Sequence, residues 1–381
     1  MPILTRLFEM MAQKKASDLF VSAGAPIHMK INGNSMPVNP QVMSGEDTRK
    51  VCYEILTPKQ IERLEKELEL NFSMPLEGIG NFRVNMMFQK ASCAAVVRFI
   101  DANIPELRSL SLPQILASVV MEKRGLILVV GATGSGKSTT LASMLDFRNT
   151  MKTGHILTFE DPIEYIFKSK KSIVNQREIG SDSHSFGEAM RNAMRQAPDC
   201  ILVGEIRDVE TMKAAMMYSL SGHLCLATLH ANNSYHALNR IINFFPLDQR
   251  AILLSDLGIA LRCIISQRLI KNIAGGRSAA VEILMNTTNI AELIEDGRVS
   301  EIKEAMEKSL TPGSQTFEQD LFRLIQQEKI SIEEGLNNAD SSTNLQLLIG
   351  NSGMMPAYKD GQEPPKRMGG GGASFSEFKI N

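Results

Sequence analysis

Short apolar runs of strand length alternate with helical stretches through the middle of the chain. The apolar runs lie at 126–130, 156–159, 200–204, 224–228 and 280–284. Apolar residues at helical spacing fill segments between them, such as 186–196 and 209–220. Strands that are apolar throughout and separated by helices are typical of a mostly parallel sheet covered on both faces. The pattern therefore predicts an α/β domain over residues 112–288.

A smaller α+β domain is predicted over residues 1–103, followed by a linker at 104–111. Leu4, Leu7, Phe8 and Met11 have helical spacing, and Thr57-Pro58 is a typical start for a charged helix that we expect to reach residue 70. Strands are predicted at 18–22, 27–31, 81–88 and 94–100, the last two as a pair.

The carboxyl-terminal part is predicted to be helical over 289–348 and flexible beyond it. Helices are expected at 290–295, 300–308, 316–327 and 331–337, with Gly297 and Pro312-Gly313 between them. From residue 349 to 381 the chain contains Pro364-Pro365 and four consecutive glycines at 369–372, a composition typical of a flexible tail.

Composition narrows the class of protein. The 381 residues carry 41 basic and 42 acidic side chains, for a net charge of −1. This balance lacks the basic footprint of a nucleic-acid binder, so no nucleic-acid partner is expected. The five cysteines form no C-x-x-C pair, which argues against a zinc ribbon and favours reduced thiols. No apolar run is long enough to span a membrane, and no signal peptide is expected.

A complete phosphate-binding loop follows the first apolar run of the α/β domain. The residues that we expect to contact the phosphates are Gly131, Ala132, Thr133, Gly134, Ser135, Gly136, Lys137, Ser138 and Thr139. The glycines let backbone N–H groups point at phosphate oxygens, and the following helix start adds partial positive charge. A glycine turn before a capped helix is the simpler alternative, but the lysine, hydroxyl and flanking elements together favour a nucleoside triphosphate.

Acidic residues end the next two strands. Glu160, Asp161 and Glu164 follow one strand closely, where one carboxylate can orient water while others support Mg²⁺. Glu205 follows the strand at 200–204, where many P-loop enzymes have an aspartate near the metal. Gly204 stands where the aspartate would be expected and Glu205 follows it. Glu205 therefore either holds the metal through water or is a feature of the fold with no role at the metal. His230, at the carboxyl end of the next strand, is a better candidate γ-phosphate sensor than His223 at the other end.

Two arginines lie on the paired strands of the first domain. Arg83 and Arg98 are charges amid apolar residues, and a guanidinium from a neighbouring subunit can neutralise charge that develops during phosphoryl transfer. A solvent-facing arginine on a half-exposed strand is the alternative for each.

The motifs GATGSGKS, EDPIE, ILVGE and GHLCLATLHANN, in this order, resemble the Walker A, Asp-box, Walker B and His-box series of secretion ATPases. The segments at 16–20 and 80–84 resemble the PAS-like amino-terminal domain of the PilT group. The chain is identified by these motifs as a member of the PilT/PilU-type retraction ATPases of type IV pili. The segments at 241–246 and 339–342, and the extra tail, favour the PilU branch of that family.

This resemblance implies a RecA-like P-loop core with a PAS-like amino-terminal domain and carboxyl-terminal helices. It implies a cytoplasmic homohexamer, peripheral at the inner membrane, that hydrolyses ATP with Mg²⁺ to power pilus retraction and twitching. The implied partners are PilT and the inner-membrane platform protein of the pilus. The implied site roles are phosphate and Mg²⁺ binding for Lys137 and Ser138, general base for Glu164, Walker B carboxylate near the metal for Glu205, nucleotide sensor for His230, and action in trans for Arg83 and Arg98.

One departure from the PilT pattern bears on the implied function. PilT has an Ala-Ile-Arg-Ala-Gly type motif needed for retraction, where this chain has Asn-Ile-Ala-Glu-Leu at 289–293. The departure predicts an accessory motor that works with PilT. Three alternatives remain: a RecA-like nucleic-acid translocase, a pilus-assembly or type II secretion ATPase, and a regulatory module that binds ATP without turnover. The absence of a tetracysteine module argues against the second, and the intact Lys137, Glu164 and Glu205 against the third.

Overall fold

The computed structural model describes residues 2–31, 33–101, 103–309 and 311–352. The amino-terminal domain is an antiparallel sheet with helices. Within the described residues its strand order is β3-β2-β1-β6-β5-β4. The elements are α1 (Ile3–Lys14), β1 (Asp18–Val21), β2 (His28–Ile31), β3 (Asn34–Pro37), α2 (Gly45–Tyr53), α3 (Pro58–Glu67), β4 (Glu69–Leu76), β5 (Gly80–Gln89) and β6 (Ser92–Asp101).

The helix predicted from Thr57 to residue 70 is shorter than expected. Thr57 caps it through a reciprocal pair of hydrogen bonds with Gln60, and Pro58 takes its first position. Leu68 then adopts a left-handed conformation, which ends the helix. Strand β4 starts at Glu69 and buries Leu70 and other alternate side chains. The sequence prediction missed both β4 and α2.

The second domain has the predicted mixed, mostly parallel sheet. Its strand order in the described part of the chain is β13-β12-β7-β11-β10-β8-β9, and only the β12–β13 pairing in it is antiparallel. The strands are β7 (Gly125–Val130), β8 (Gly154–Glu160), β9 (Ser172–Glu178), β10 (Cys200–Val203), β11 (Leu224–Leu229), β12 (Leu261–Lys271) and β13 (Arg277–Met285). The helices are α4 (Ile115–Val119), α5 (Lys137–Met151), α6 (Phe186–Ala193), α7 (Val209–Leu220), α8 (Ser234–Phe244) and α9 (Arg250–Ala260).

Helices cover both faces of this sheet. Strand β7 is buried along its whole length, with Leu128 packed in one core cluster and Ile127 in the cluster on the opposite face. Strands β9 and β12 were not predicted. Strand β9 lies at a sheet edge and only its end residues, Ser172 and Glu178, are buried. Polar residues at 266–268 interrupt the apolar pattern of β12.

The carboxyl-terminal helices are α10 (Thr288–Glu295), α11 (Ile302–Glu307), α12 (Phe317–Gln326), α13 (Ile332–Asn338) and α14 (Ser342–Asn351). Of these, α10 and α11 pack into the core of the ATPase domain, whereas α12, α13 and α14 pack around a separate apolar cluster. Helix α14 was not predicted, and the expected boundary at 349 falls inside it because Leu345 and Ile349 are buried against α12 residues such as Leu321. The rest of the predicted flexible tail lies outside the described residues. Within the described part of the chain, no helix combines the length and apolarity needed to cross a bilayer.

Candidate nucleotide-binding site

The phosphate-binding loop joins the buried strand β7 to helix α5. Gly134 and Gly136 have φ angles of +77° and +89°, which glycine adopts without strain. Gly131 lies so close to β12 that an added Cβ would be 2.5 Å from the Gln267 carbonyl oxygen. The loop therefore needs glycine at these positions for its own geometry.

Lys137 points back over the loop. Its Nζ donates to the carbonyl oxygens of Gly131 and Ala132, both at 2.9 Å, and the residue is 9% exposed. Burial lowers the pKa of Lys137, and the nearby carboxylates of Glu205 and Glu164 partly oppose that shift.

The loop offers donors that fit a phosphate chain. The first-turn N–H groups of α5, on Lys137, Ser138 and Thr139, have no partner within the helix, and its N-cap Gly136 supplies no side-chain cap. The buried Ser135 Oγ has no hydrogen-bond partner among the described residues. A ligand with several anionic oxygens matches this set of donors.

Strand β12 supports the loop through Gln267, which the sequence analysis missed. Its Nε2 donates to the Ser135 carbonyl oxygen at 2.8 Å, and its Oε1 accepts from Thr140 Oγ1 at 2.7 Å. Thr139 Oγ1 also lies 2.9 Å from the Tyr165 hydroxyl. The local signal was the polar run at 266–268 between apolar residues, and it does not single out Gln267.

Glu205 lies directly beyond the end of β10. The Gly204 N–H donates to the Phe159 carbonyl oxygen of β8 at 2.7 Å, and an added Cβ on residue 204 would be 3.0 Å from the same oxygen. This close approach accounts for the glycine. The Glu205 carboxylate lies 3.2 Å from His230 Nε2 and 2.7 Å from Arg207 Nε. The structure thus joins Glu205 and His230 and adds Arg207, which the sequence prediction did not include.

The three Asp-box carboxylates have different environments. Glu160 accepts hydrogen bonds from Thr158 Oγ1 and Gln176 Nε2 at 2.7 and 3.1 Å, and burial raises the pKa of its carboxyl to about 7. Asp161 lies 3.4 Å from Arg207 Nη1. Glu164 is partly exposed, and among the three it alone approaches the amino-terminal domain through an ion pair.

That ion pair joins Glu164 to Arg83. Arg83 Nη1 lies 3.6 Å from Glu164 Oε1 in the same chain. Arg98 lies opposite Arg83 in the β5–β6 register and pairs with Asp18 at 3.0 Å, while its side chain stays 63% exposed. Action of either arginine in trans stays a prediction.

The loop after β11, which carries His230, is held by Asp340, between α13 and α14, and by Arg268 of β12. Asn233 Nδ2 donates to Asp340 Oδ2 at 2.7 Å, and Arg268 donates to the Asn232 carbonyl oxygen and pairs with Asp340. His223 lies at the opposite end of β11, beside Ser221.

Cavities flank the phosphate-binding loop on two sides. One of about 670 Å³ is lined by Gly131, Ala132 and His230 together with residues of α8. Another of about 550 Å³ lies between Thr139, Leu269 and the interdomain linker around Ser111. The loop therefore has room on both sides for a ligand larger than phosphate alone.

Comparisons with known proteins give a consistent picture. The family model "Type II/IV secretion system protein" matches residues 1–280. The type IV pilus ATPase PilU of Pseudomonas aeruginosa is 46% identical, with 90% of each chain covered. The PilT retraction ATPase of the same organism is 39% identical over 90% of this chain and 99% of its own. A crystal structure of the pilus retraction motor PilT with bound ADP has a TM-score of 0.84 at 40% identity, covering 91% of this chain and 99% of that one.

These similarities confirm the predicted fold class, a P-loop ATPase core with an amino-terminal domain and carboxyl-terminal helices. They also support nucleotide use, since the solved relative holds ADP. They do not favour the nucleic-acid translocase, and the relatives named here are pilus ATPases. The chain belongs to the Type II/IV secretion system protein family and is an ATPase of the PilT/PilU type.

Proposed function

We propose that this protein is a homohexameric, ATP-hydrolysing motor of type IV pilus retraction that works beside PilT. The observation that carries the proposal is the cavity lined by Gly131, Ala132 and His230, where Glu205 lies 3.2 Å from the histidine and Lys137 binds the loop carbonyl oxygens. The similarity to PilU supports the choice of process. The Asn-Ile-Ala-Glu-Leu sequence at 289–293 supports the accessory role.

Lys137 and the N–H groups of the loop would bind the β- and γ-phosphates of ATP. Ser138 would hold Mg²⁺ directly, and Glu205 would hold it through a water molecule. When bound, Mg²⁺ would neutralise negative charge on the phosphate oxygens. The Ser138 hydroxyl and the Glu205 carboxylate fit this ion because both offer oxygen ligands.

Glu164 would act as general base on the attacking water. Its carboxylate is partly exposed at the site, whereas Glu160 is held by Thr158 and Gln176 and is less free to reach a ligand. His230 touches Glu205 and lines the cavity beside Gly131, so it would sense the terminal phosphate through that carboxylate.

The assembly would be a ring with sites at subunit boundaries. The exposed Arg98 guanidinium supports this arrangement because it is available to a neighbouring subunit's nucleotide. A cytoplasmic location, peripheral at the inner membrane beside the pilus platform protein, follows from the proposed process.

The test is genetic. Deleting the gene is expected to weaken twitching in cells that retain PilT, and the full chain is expected to restore it while Lys137→Ala does not. If the motor is accessory, the full chain should not restore twitching in cells that lack PilT. Unchanged twitching after deletion would contradict the proposed process, and restoration without PilT would contradict the accessory role.

A further inference from the structure

We propose that Asn81 and Glu178 are positioning residues that fix the Glu164 loop against the amino-terminal domain. The position of that domain would then set whether Glu164 can act on water. This inference rests on the proposed role of Glu164 as general base. A movement of the amino-terminal domain would then be transmitted to the Glu164 carboxylate of the ATPase domain.

Asn81, on β5, binds the Glu164 loop, which is the segment that follows β8 and ends in Glu164. Its Nδ2 donates to the carbonyl oxygens of Ile163 and Glu164, at 2.7 and 3.1 Å. Its Oδ1 accepts from Phe82 N at 3.0 Å and Ser73 Oγ at 2.9 Å, which fixes the amide orientation. The side chain is 1% exposed, so water cannot readily replace these bonds. The backbone at Glu164 is therefore held by the other domain.

Glu178 makes the reciprocal connection from the ATPase domain. One carboxylate oxygen accepts from Ile163 N at 3.0 Å, and the other accepts from Ser73 N of β4 at 3.1 Å. The residue is 5% exposed, and Ser181 Oγ also donates to it at 3.3 Å. A single buried carboxylate thus connects the Glu164 loop to strand β4 of the amino-terminal domain.

The Glu164 loop is held by hydrogen bonds at the residue that precedes the proposed general base. Ile163 is bound through its N–H by Glu178 and through its carbonyl by Asn81, and it immediately precedes Glu164. Arg83 lies on the same face of β5 as Asn81 and contacts the Glu164 side chain. A change in the angle between the domains cannot leave this loop unmoved unless these buried bonds break.

The variant Asn81→Asp tests the first contact with little change in shape. It keeps the acceptor oxygen but turns a carboxylate oxygen toward two carbonyl oxygens, so we expect the loop to shift. The turnover number for ATP should fall at least tenfold, while affinity for a nonhydrolysable ATP analogue changes less than about twofold. Asn85→Asp is the matched control, since Asn85 lies on the same strand and bonds Asn71 instead. It should behave as the wild type.

A double-mutant cycle distinguishes an effect of Asn81 on the position of Glu164 from a general loss of structure. If Asn81 acts through Glu164, Asn81→Asp should cost less than about twofold in a Glu164→Gln background. Equal fold losses in both backgrounds, or wild-type turnover by folded, assembled Asn81→Asp, would overturn the inference. Near-wild-type turnover by Glu164→Gln alone would instead remove the proposed base, and the inference with it.

Glu178→Gln provides a second variant in case Asn81→Asp does not fold. It keeps one acceptor oxygen and loses the other, so the same fall in turnover with retained analogue affinity is expected. In a Glu164→Gln background, Glu178→Gln should likewise cost less than about twofold in turnover. Turnover equal to the wild type in an assembled ring would overturn the inference.

Discussion

The Arg83 guanidinium lies 3.6 Å from the Glu164 carboxylate of the same chain. Arg83 belongs to the antiparallel sheet of the amino-terminal domain, and Glu164 to the loop after β8 of the ATPase domain. The contact therefore brings a side chain of the amino-terminal domain to the carboxylate that we propose as the general base, within a single chain.

Arg83→Ala should slow ATP turnover at least tenfold, because Glu164 loses the cation that orients it. Thermal stability should change little, since an ion pair with both partners partly exposed contributes about 0–1 kcal/mol. The measurement is steady-state hydrolysis together with a melting curve. Arg49→Ala, which breaks an exposed ion pair with Glu65 in the same domain, is the control and should leave turnover unchanged. Wild-type turnover by Arg83→Ala would contradict this role.

Mixed rings test the expected action of Arg98 on a neighbour's nucleotide. Its side chain is largely exposed and pairs with Asp18, so removing it should leave each subunit folded. Rings of Arg98→Ala alone and of Lys137→Ala alone should both be inactive. A mixture should regain activity, because some boundaries combine an intact loop with an intact arginine. Absence of recovery in rings shown to be mixed would argue against action in trans.

Gly204→Ala should impair the site through the backbone. The new Cβ would lie 3.0 Å from the Phe159 carbonyl oxygen and 3.2 Å from Glu160 Cα, so the ends of β8 and β10 must separate by a few tenths of an ångström. We expect a loss of about 1–3 kcal/mol in unfolding free energy and a fall in turnover, since Glu205 moves with the end of β10. Gly350→Ala is the control, because its Cβ meets nothing within 4 Å in α14. Unchanged turnover by Gly204→Ala would contradict the expectation that this close approach positions Glu205.

Glu160 should make stability fall as pH rises. Burial raises the pKa of its carboxyl from 4.5 to about 7, so between these values the folded protein holds a proton that the unfolded chain has released. The unfolding free energy contributed by this group therefore declines through that window. Between pH 5.5 and 8 the wild type should lose about 2 kcal/mol more than Glu160→Gln in urea unfolding. An identical pH dependence for both proteins would contradict the buried carboxyl.

Much of the fold follows from local sequence signals. The apolar β7, the glycines around Gly134 and the lysine of the loop are contiguous, so their pattern is visible without knowledge of the fold. Helix α7 was predicted with its observed bounds. By contrast, β12 was missed because polar residues interrupt it, and β9 because an edge strand has weak apolar character.

The site was predictable only where its residues belong to local motifs. Lys137, Glu164, Glu205 and His230 each follow or end a predicted strand. Gln267 contacts the loop from 132 positions away in sequence, and no local pattern specifies that pairing. The same holds for the contact of Asn81 with Ile163 and Glu164, which depends on how two domains pack.

The most direct measurement is ATP hydrolysis by the purified full chain with Mg²⁺, compared with Lys137→Ala and Glu164→Gln. We expect turnover by the wild type and none by Lys137→Ala. Glu164→Gln should retain ATP binding with turnover reduced about 10²–10⁴-fold, as expected for loss of a general base. If the assembled wild type neither binds nor hydrolyses ATP, or if Glu164→Gln hydrolyses it at the wild-type rate, the proposed ATPase site is wrong.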